Sequence, residues 1–283
     1  MKFRHALSCL ALALAPFALP AFAQQPVLEE VPFVTSPDNV TLEMLRIANV
    51  GPTDHVIDLG SGDGRIVILA ARRFGASGLG VEIDPALVER SIRNARDAGV
   101  STRAEFRVQD LFKTDLSAAT VVTMYLLTEV NLALRPTILK LKPGTRIVSH
   151  DWDMGDWKPD QTTEVPVPDK KVGLAKSSKI HFWTVPANID GLWCGVGMLR
   201  GGSLQVAQRF QEFSGTLRWR NRARDVAGRL QGAKMQMTGG RHQMALEAVG
   251  DELHVLDGQG DMALGRGQRF RRANGPACEG AVR

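Results

Sequence analysis

The stretch VIDLGSGDGRIVILAARRFG, residues 56–75, constrains this chain more than any other. A short apolar run ends in Asp58. Gly60, Gly62 and Gly64 then alternate with polar residues, and an apolar pattern of helical period restarts at Ile66. A run this short and apolar reads as a buried strand, and the restart as a helix. A glycine-rich turn between them lets a ligand approach the backbone and presents amides at a helix N-terminus.

The rest of the first two thirds repeats the alternation. HVIDL, GLGVEID, AEFRVQD, ATVVTMYL and TRIVSHDW read as strands, separated by the helical segments GRIVILAARRFG, PALVERSIRNARDAG and TEVNLALRPTILKLKPG. Upstream, residues 24–38 are proline-broken and read as an extended entry arm. SPDNVTLEMLRIANVG then starts a helix, with Ser36 as its cap and Pro37 at its first position. Strict strand–helix alternation predicts a parallel sheet wound on both faces, an α/β architecture. Such sheets bind ligands at the carboxyl ends of their strands.

Three acids mark that edge. Asp58 ends the first strand, Glu82 the second and Asp110 the third. Glu82 lies 20 residues beyond Gly62, the separation at which a carboxylate reaches ribose hydroxyls. Asp110 is placed to accept from an exocyclic adenine amine. A dinucleotide fingerprint has G-x-G-x-x-G, whereas Arg65 stands at the third glycine position here. An acid leading the loop also does nothing for a pyrophosphate. Both points disfavour a nicotinamide oxidoreductase.

The pattern D-x-G-x-G-x-G instead resembles the first motif of class I S-adenosylmethionine-dependent methyltransferases. VPFVTSPDNVTLEML, DLGSGDGRIV, GVEIDP, DLFKTDLSAATVVTMYLL and KPGTRIVSHDWDMGDWKPD, taken in order, resemble the family of the ATP synthase c-subunit lysine methyltransferases and their bacterial relatives. The likeness covers about residues 31–186. It implies a Rossmann-like seven-stranded sheet whose last hairpin is antiparallel, with KIHFWTV, residues 179–185, as a last strand. It also implies S-adenosyl-L-methionine as cofactor, held by Asp58, Gly60, Ser61, Gly62, Glu82, Ile83, Asp110 and Leu111, with Thr35 a candidate at the methionyl end. The acceptor it implies is a protein lysine or another amine.

Methyl transfer from a sulfonium is an in-line displacement, so positioning supplies much of the rate. Tyr125, the single tyrosine, ends the fourth strand, and Glu129 opens the next helix. Tyr125 is placed to orient an amine and Glu129 to hold its protonated form. Packing and a helix-start acid are the alternative roles. His150, Asp151 and Trp152 follow the fifth strand as candidate rim residues. Trp152 and Trp157 stand near acids, where they would either cage an ammonium or close the core. A non-catalytic protein that keeps the nucleoside-binding fold is the alternative function.

From Gly191 onward, apolar and polar residues alternate between glycine-rich turns, which predicts a small all-β antiparallel domain, a sandwich or barrel. The expected division is a signal peptide over 1–23, a methyltransferase domain over 24–188 and the β-domain over 189–283. Residues 1–23 carry Lys2 and Arg4, an uncharged apolar core and Ala21-Phe22-Ala23, the pattern of a cleaved export signal. Cleavage near Ala23 leaves no later segment that could span a membrane and predicts a periplasmic protein. Cys9 then departs, leaving Cys194 and Cys278, which in an oxidising compartment form one disulfide or stay as two thiols. No metal is expected, because the chain has no CxxC or HxxxH and its six histidines are scattered. Residues 191–283 hold 14 Lys/Arg against 8 Asp/Glu, and residues 1–190 hold 21 against 22. No run or aromatic stripe organises that basic excess, so no nucleic-acid partner is expected.

Overall fold

The computed structural model describes residues 34–170, 175–220 and 222–278. The expected export signal over 1–23 lies outside them.

The first half is the expected sheet with its helices. α1 spans Asp38–Ile47, β1 His55–Leu59, α2 Arg65–Phe74, β2 Ser77–Glu82 and α3 Pro85–Asp97. β3 (Ala104–Val108), β4 (Val121–Met124), α4 (Thr128–Ile138), β5 (Arg146–His150), β6 (Gln161–Pro166) and β7 (Ser177–Thr184) complete it. The strand order is β3-β2-β1-β4-β5-β7-β6. The first five strands are parallel, and β7 runs antiparallel between β5 and β6. The order reverses between β1 and its two neighbours, which opens a crevice above β1 and β4.

Both faces of the sheet are covered, so the middles of its central strands are apolar and their polar residues gather towards the ends. Val56, Ile57, Leu59, Val121, Val122, Met124, Ile147 and Val148 are all buried. α1 packs Val40, Met44 and Leu45 into one side of this core. α3 lays Val88 and Ala95 against the other, beside Phe106 of β3. α1 begins differently from expectation. Pro37 is its N-cap, and no side chain caps it. The Ser36 hydroxyl instead turns inward, to His150 at the end of β5.

The second half is a closed eight-stranded antiparallel barrel, which settles the choice between sandwich and barrel. Its strands are β8 (Gly191–Val196), β9 (Ser203–Arg209), β10 (Glu212–Trp219), β11 (Arg222–Gln231), β12 (Lys234–Gly239), β13 (His242–Val249), β14 (Glu252–Gly258) and β15 (Arg269–Arg272). β15 pairs back onto β8 and closes the wall. Trp193, Leu204, Phe213, Met235, Leu246 and Phe270 fill the interior. Closure leaves no free edge for another chain to pair with.

The connection between the halves is structured. Ala187 and Ile189 are buried in the barrel core. Gln208 grips this segment twice, accepting from Ile189 N at 2.6 Å and donating to the Ala187 carbonyl at 2.9 Å. The β9–β10 and β11–β12 turns meet the sheet domain. Phe210 stacks on Trp157 at 5.9 Å, Arg229 pairs with Asp160 at 2.7 Å, and Ala187 N donates to the Gly232 carbonyl at 2.9 Å. Arg209 and Arg135 converge on Asp156 and hold its carboxyl down at about 2. Trp157 is therefore a contact between the two halves, wholly buried, and forms no cage.

Cys194 of β8 is bonded to Cys278, with 5.4 Å between the Cα atoms and 84 residues between the cysteines. The bond ties the tail after β15 to the strand that β15 pairs with. Chain-entropy arguments give a cross-link of this span roughly 4–5 kcal/mol of stabilisation. Cys278→Ser, or reduction of the folded protein, is expected to lower the urea midpoint of the barrel by a matching amount. An unchanged midpoint would show that the barrel seam holds without the bond.

Candidate active site

The glycine loop sits where β1 hands over to α2. Gly60, Gly62 and Gly64 have φ of 72°, 53° and 80°, a region that side chains rarely enter. At Gly64 a Cβ would also land 2.7 Å from the Phe106 ring and 2.9 Å from Ser91 Cβ. α3 fastens the loop from below, with the Ser91 hydroxyl donating to the Gly62 carbonyl and Asn94 Nδ2 to the Asp63 carbonyl, each at 2.9 Å. Arg65, the residue at the third glycine position of a dinucleotide loop, holds both oxygens of Asp63, at 2.9 and 2.7 Å. Burial would raise the Asp63 pKa, but the hydrogen bonds and charge of Arg65 overcome it and hold the carboxyl below its usual value. The same guanidinium donates to the Ser36 carbonyl at 2.8 Å, so it ties the loop to the entry arm.

The three strand-end acids lie along one edge of the sheet in different settings. Asp58 is 2% exposed and accepts from the Thr123 hydroxyl at 2.7 Å. Burial pushes its pKa up to about 7; the Thr123 bond opposes this, and the charges of Glu82 and Asp63 add to it. Glu82 closes over the loop, accepting from Gly62 N at 3.0 Å and from Ile83 N at 2.7 Å. Asp110 accepts from Phe112 N at 2.9 Å and caps the short turn Leu111–Lys113. Beside these acids stand apolar side chains open to water, Ile83 at 61% and Phe112 at 46% exposed. Leu111 is half-buried, and Thr35 is exposed on the arm. The Ser61 hydroxyl is buried without a hydrogen-bond partner.

These features fit S-adenosylmethionine. Asp58 is a buried acid with two acidic neighbours and, among the described residues, no ion-paired cation, so it has a use for a positive ligand. Glu82 accepts from three backbone amides and keeps about one lone-pair site, on the oxygen that Gly62 N reaches, for a hydroxyl donor. Ile83 and Phe112 present an apolar surface of the kind an adenine covers.

Tyr125 lies just beyond β4 and stacks on His150, with ring centroids 3.9 Å apart. His150 is buried between two hydroxyls, Ser36 at 2.8 Å and Ser178 at 2.9 Å. Burial lowers its pKa to about 4, with Asp151 pulling up and Lys170 pulling down, so the ring is neutral at physiological pH. Lys170 pairs with Asp151 at 2.7 Å. Burial, and then the Asp151 charge, raises the Tyr125 pKa, so its hydroxyl stays protonated. Glu129 stands exposed in the first turn of α4. Trp152 is partly exposed, and its carbonyl accepts from the Ser149 hydroxyl at 2.6 Å. Sequence reasoning did not find the parts played by Arg65, Ser36, Ser178 and Lys170. Only Arg65 left a signal, as an arginine inside a glycine motif.

A parallel sheet of this order, with an acid-led glycine loop at its switch point, defines the class I S-adenosylmethionine-dependent methyltransferases. A family model described as the ANTKMT methyltransferase domain matches residues 58–161. A protein-lysine N-methyltransferase of Saccharolobus islandicus (strain REY15A) is 45% identical over 137 residues, 48% of this chain and 85% of that protein. The ATP synthase c-subunit lysine N-methyltransferase of Mus musculus is 34% identical over 149 residues, 52% of this chain and 58% of that protein. The crystal structure of an RNA methyltransferase from Salinibacter ruber in complex with S-adenosyl-L-homocysteine is 51% identical, with a TM-score of 0.50, covering 55% of this chain and 96% of that one. The chain belongs to the family of the ANTKMT and ATP synthase c-subunit lysine methyltransferases. It spans about three fifths of the length of the c-subunit lysine methyltransferases it matches, and its barrel lies beyond the residues the family model matches.

The buried acid makes a prediction about the ligand-free protein. The Asp58 carboxyl holds its proton in the folded state up to about pH 7 and loses it near its ordinary value when unfolded. Between those values the folded state binds more protons, so stability falls as pH rises, by roughly 2–4 kcal/mol in total. Asp58→Asn should therefore raise the Tm of the ligand-free protein at pH 8 and leave it nearly unchanged at pH 4. Equal shifts at both pH values would assign the effect to packing.

Proposed function

We propose that this chain is an exported protein-lysine N-methyltransferase. The observation that carries the acceptor class is the Saccharolobus islandicus relative of that name, 85% of which this chain covers at 45% identity. The site chemistry is consistent with it. Glu82 would hold the ribose hydroxyls, and Asp110, Leu111 and Ile83 would hold the adenine. Asp58, Gly60, Ser61 and Gly62 would hold the methionyl part, with Thr35 of the arm. Bound S-adenosylmethionine supplies an electrophilic methyl group on a sulfonium.

The protein's own task is to bring a neutral amine to that edge in line. Tyr125 keeps its proton and sits rigidly on the neutral His150 ring, so its oxygen is a fixed acceptor for an amine N–H. Glu129, exposed at the start of α4, attracts the lysine while it is still an ammonium. His150, the ring against Tyr125, is held by burial well below its ordinary pKa and is a poor acceptor for the amine proton, which leaves to water before transfer. Export and a division into domains at residues 23 and 188 belong to the same reading. Their support is the charged, apolar and small-residue pattern of residues 1–23 and the Cys194–Cys278 bond, which persists in an oxidising compartment.

The test is methyl transfer from labelled S-adenosylmethionine to a protein extract and to an RNA extract, with methylated residues located by mass spectrometry. Methyl-lysine in protein is expected. Label in RNA alone would replace this reading with the one that the name of the Salinibacter ruber protein suggests. Cofactor binding with no transfer to either extract would favour the non-catalytic alternative. Tyr125→Phe is expected to lower kcat about 10–100-fold with cofactor affinity unchanged, the scale of one lost positioning contact. Glu82→Ala should weaken cofactor binding by roughly 2–4 kcal/mol, the scale for a charged acceptor, in a protein that still folds. Calorimetry of both variants separates the two roles.

A further inference from the structure

The barrel is packed at one end and open at the other. The β9–β10 and β11–β12 turns, at Phe210 and Gly232, meet the sheet domain. In an up-and-down barrel the alternate turns lie at the opposite end. There a cavity of about 850 Å³ opens, lined among others by Leu199, Arg220, Arg222, Arg224 and Met262. Eight strands enclose just enough space for packed side chains or for one small ligand. The volume is within the range of small-molecule sites.

The floor of the cavity is the top of the barrel core, formed by Leu199, Leu217, Met244, Met262 and Phe270. Methionines make such a floor adaptable to the shape of a flexible chain. Its lip is apolar and wet, with Leu264 67% exposed. The rim is cationic. Arg218, Arg220, Arg222 and Arg224 all line the cavity from a single hairpin, and the Arg220 guanidinium lies 5.1 Å from the centre of the Trp219 ring. Among the described residues, Arg218, Arg220 and Arg222 have no carboxylate within ion-pair distance. Trp219 pairs in register with Arg222, Arg218 with Ala223 and Leu217 with Arg224, so the arginines are staggered along the hairpin and no two face each other directly. A hairpin of four arginines above an apolar well has the complementary shape of a head-and-tail anion.

We propose that the open end of the barrel binds a single long-chain carboxylate, with its tail on the methionine floor and its head between the arginines. The site lies at the far end of the barrel from the sheet and is separate from the methyl-transfer edge. A charged head alone would need no well of this depth, and a neutral hydrocarbon would not need the arginines. Leu264 is the most exposed large apolar side chain lining the cavity, and a bound tail would cover it.

The experiment is titration of the full, oxidised chain with octanoate, decanoate and dodecanoate below their micelle concentrations, followed by calorimetry and by tryptophan fluorescence. Burial of each added methylene should raise affinity ~4-fold. Dodecyltrimethylammonium should bind at least tenfold more weakly than dodecanoate. Arg220→Gln with Arg222→Gln, both exposed at the surface, should weaken dodecanoate at least tenfold and leave S-adenosylmethionine affinity unchanged. Affinity independent of chain length would overturn the proposal, as would binding of inorganic phosphate as tight as that of dodecanoate. So would equal binding of the cationic detergent. Binding to phosphatidylglycerol vesicles with none to monomeric dodecanoate would also overturn it, by making the open end a membrane-docking surface.

Discussion

The buried carboxylate of Asp58 is the constraint around which the sheet domain is arranged. It sits one residue before the end of β1, among the buried apolar side chains of β1, β4 and β5, and among the described residues the Thr123 hydroxyl is the one donor to its side chain. Burying a charge so weakly solvated is costly. The free protein meets the cost by holding the proton, with the pKa pushed up to about 7. The nearby loop is built to keep other charges in order. Arg65 takes up Asp63, and Glu82 is tied to three backbone amides. What remains at the centre is one buried acid that gives up its proton only near neutral pH.

A second chain of contacts runs from the loop to the methyl end. Arg65 reaches the Ser36 carbonyl, the Ser36 hydroxyl reaches His150, and His150 carries the Tyr125 ring. The entry arm is therefore part of the site, since Ser36 links the two ends of the crevice. Asp151, at φ 61°, joins the network with Lys170, a residue from the segment between β6 and β7. Three separate pieces of chain converge on one neutral imidazole, which gives Tyr125 a fixed place without adding a charge beside it.

Where the barrel meets the sheet, the joint is mixed, with the Trp157–Phe210 stack at its centre and ion pairs of Asp156 and Asp160 around it. Exposed pairs of this kind contribute little on their own. The aromatic stack and the buried linker residues Ala187 and Ile189 bind the two halves more firmly. No helix among the described residues is long and apolar enough to cross a membrane.

The sequence alone determined the alternation of strands and helices, the glycine loop, the row of Asp58, Glu82 and Asp110, and the all-β character of the last third. Each is written in local terms, as a period, a turn residue or a fixed spacing. The pairing of the two cysteines was also within reach, because an export signal would leave only one pairing. Tertiary structure decided the rest. It drew Ser36 away from the helix it precedes and onto His150, 114 residues away, because a buried imidazole must be hydrogen-bonded. It turned Trp157 into the joint between the halves, where the Phe210 ring covers it and takes it out of water. It closed the meander into a barrel, because β15 could satisfy its free edge only on β8. These outcomes depend on which distant surfaces meet, and no local pattern of residues carries that information.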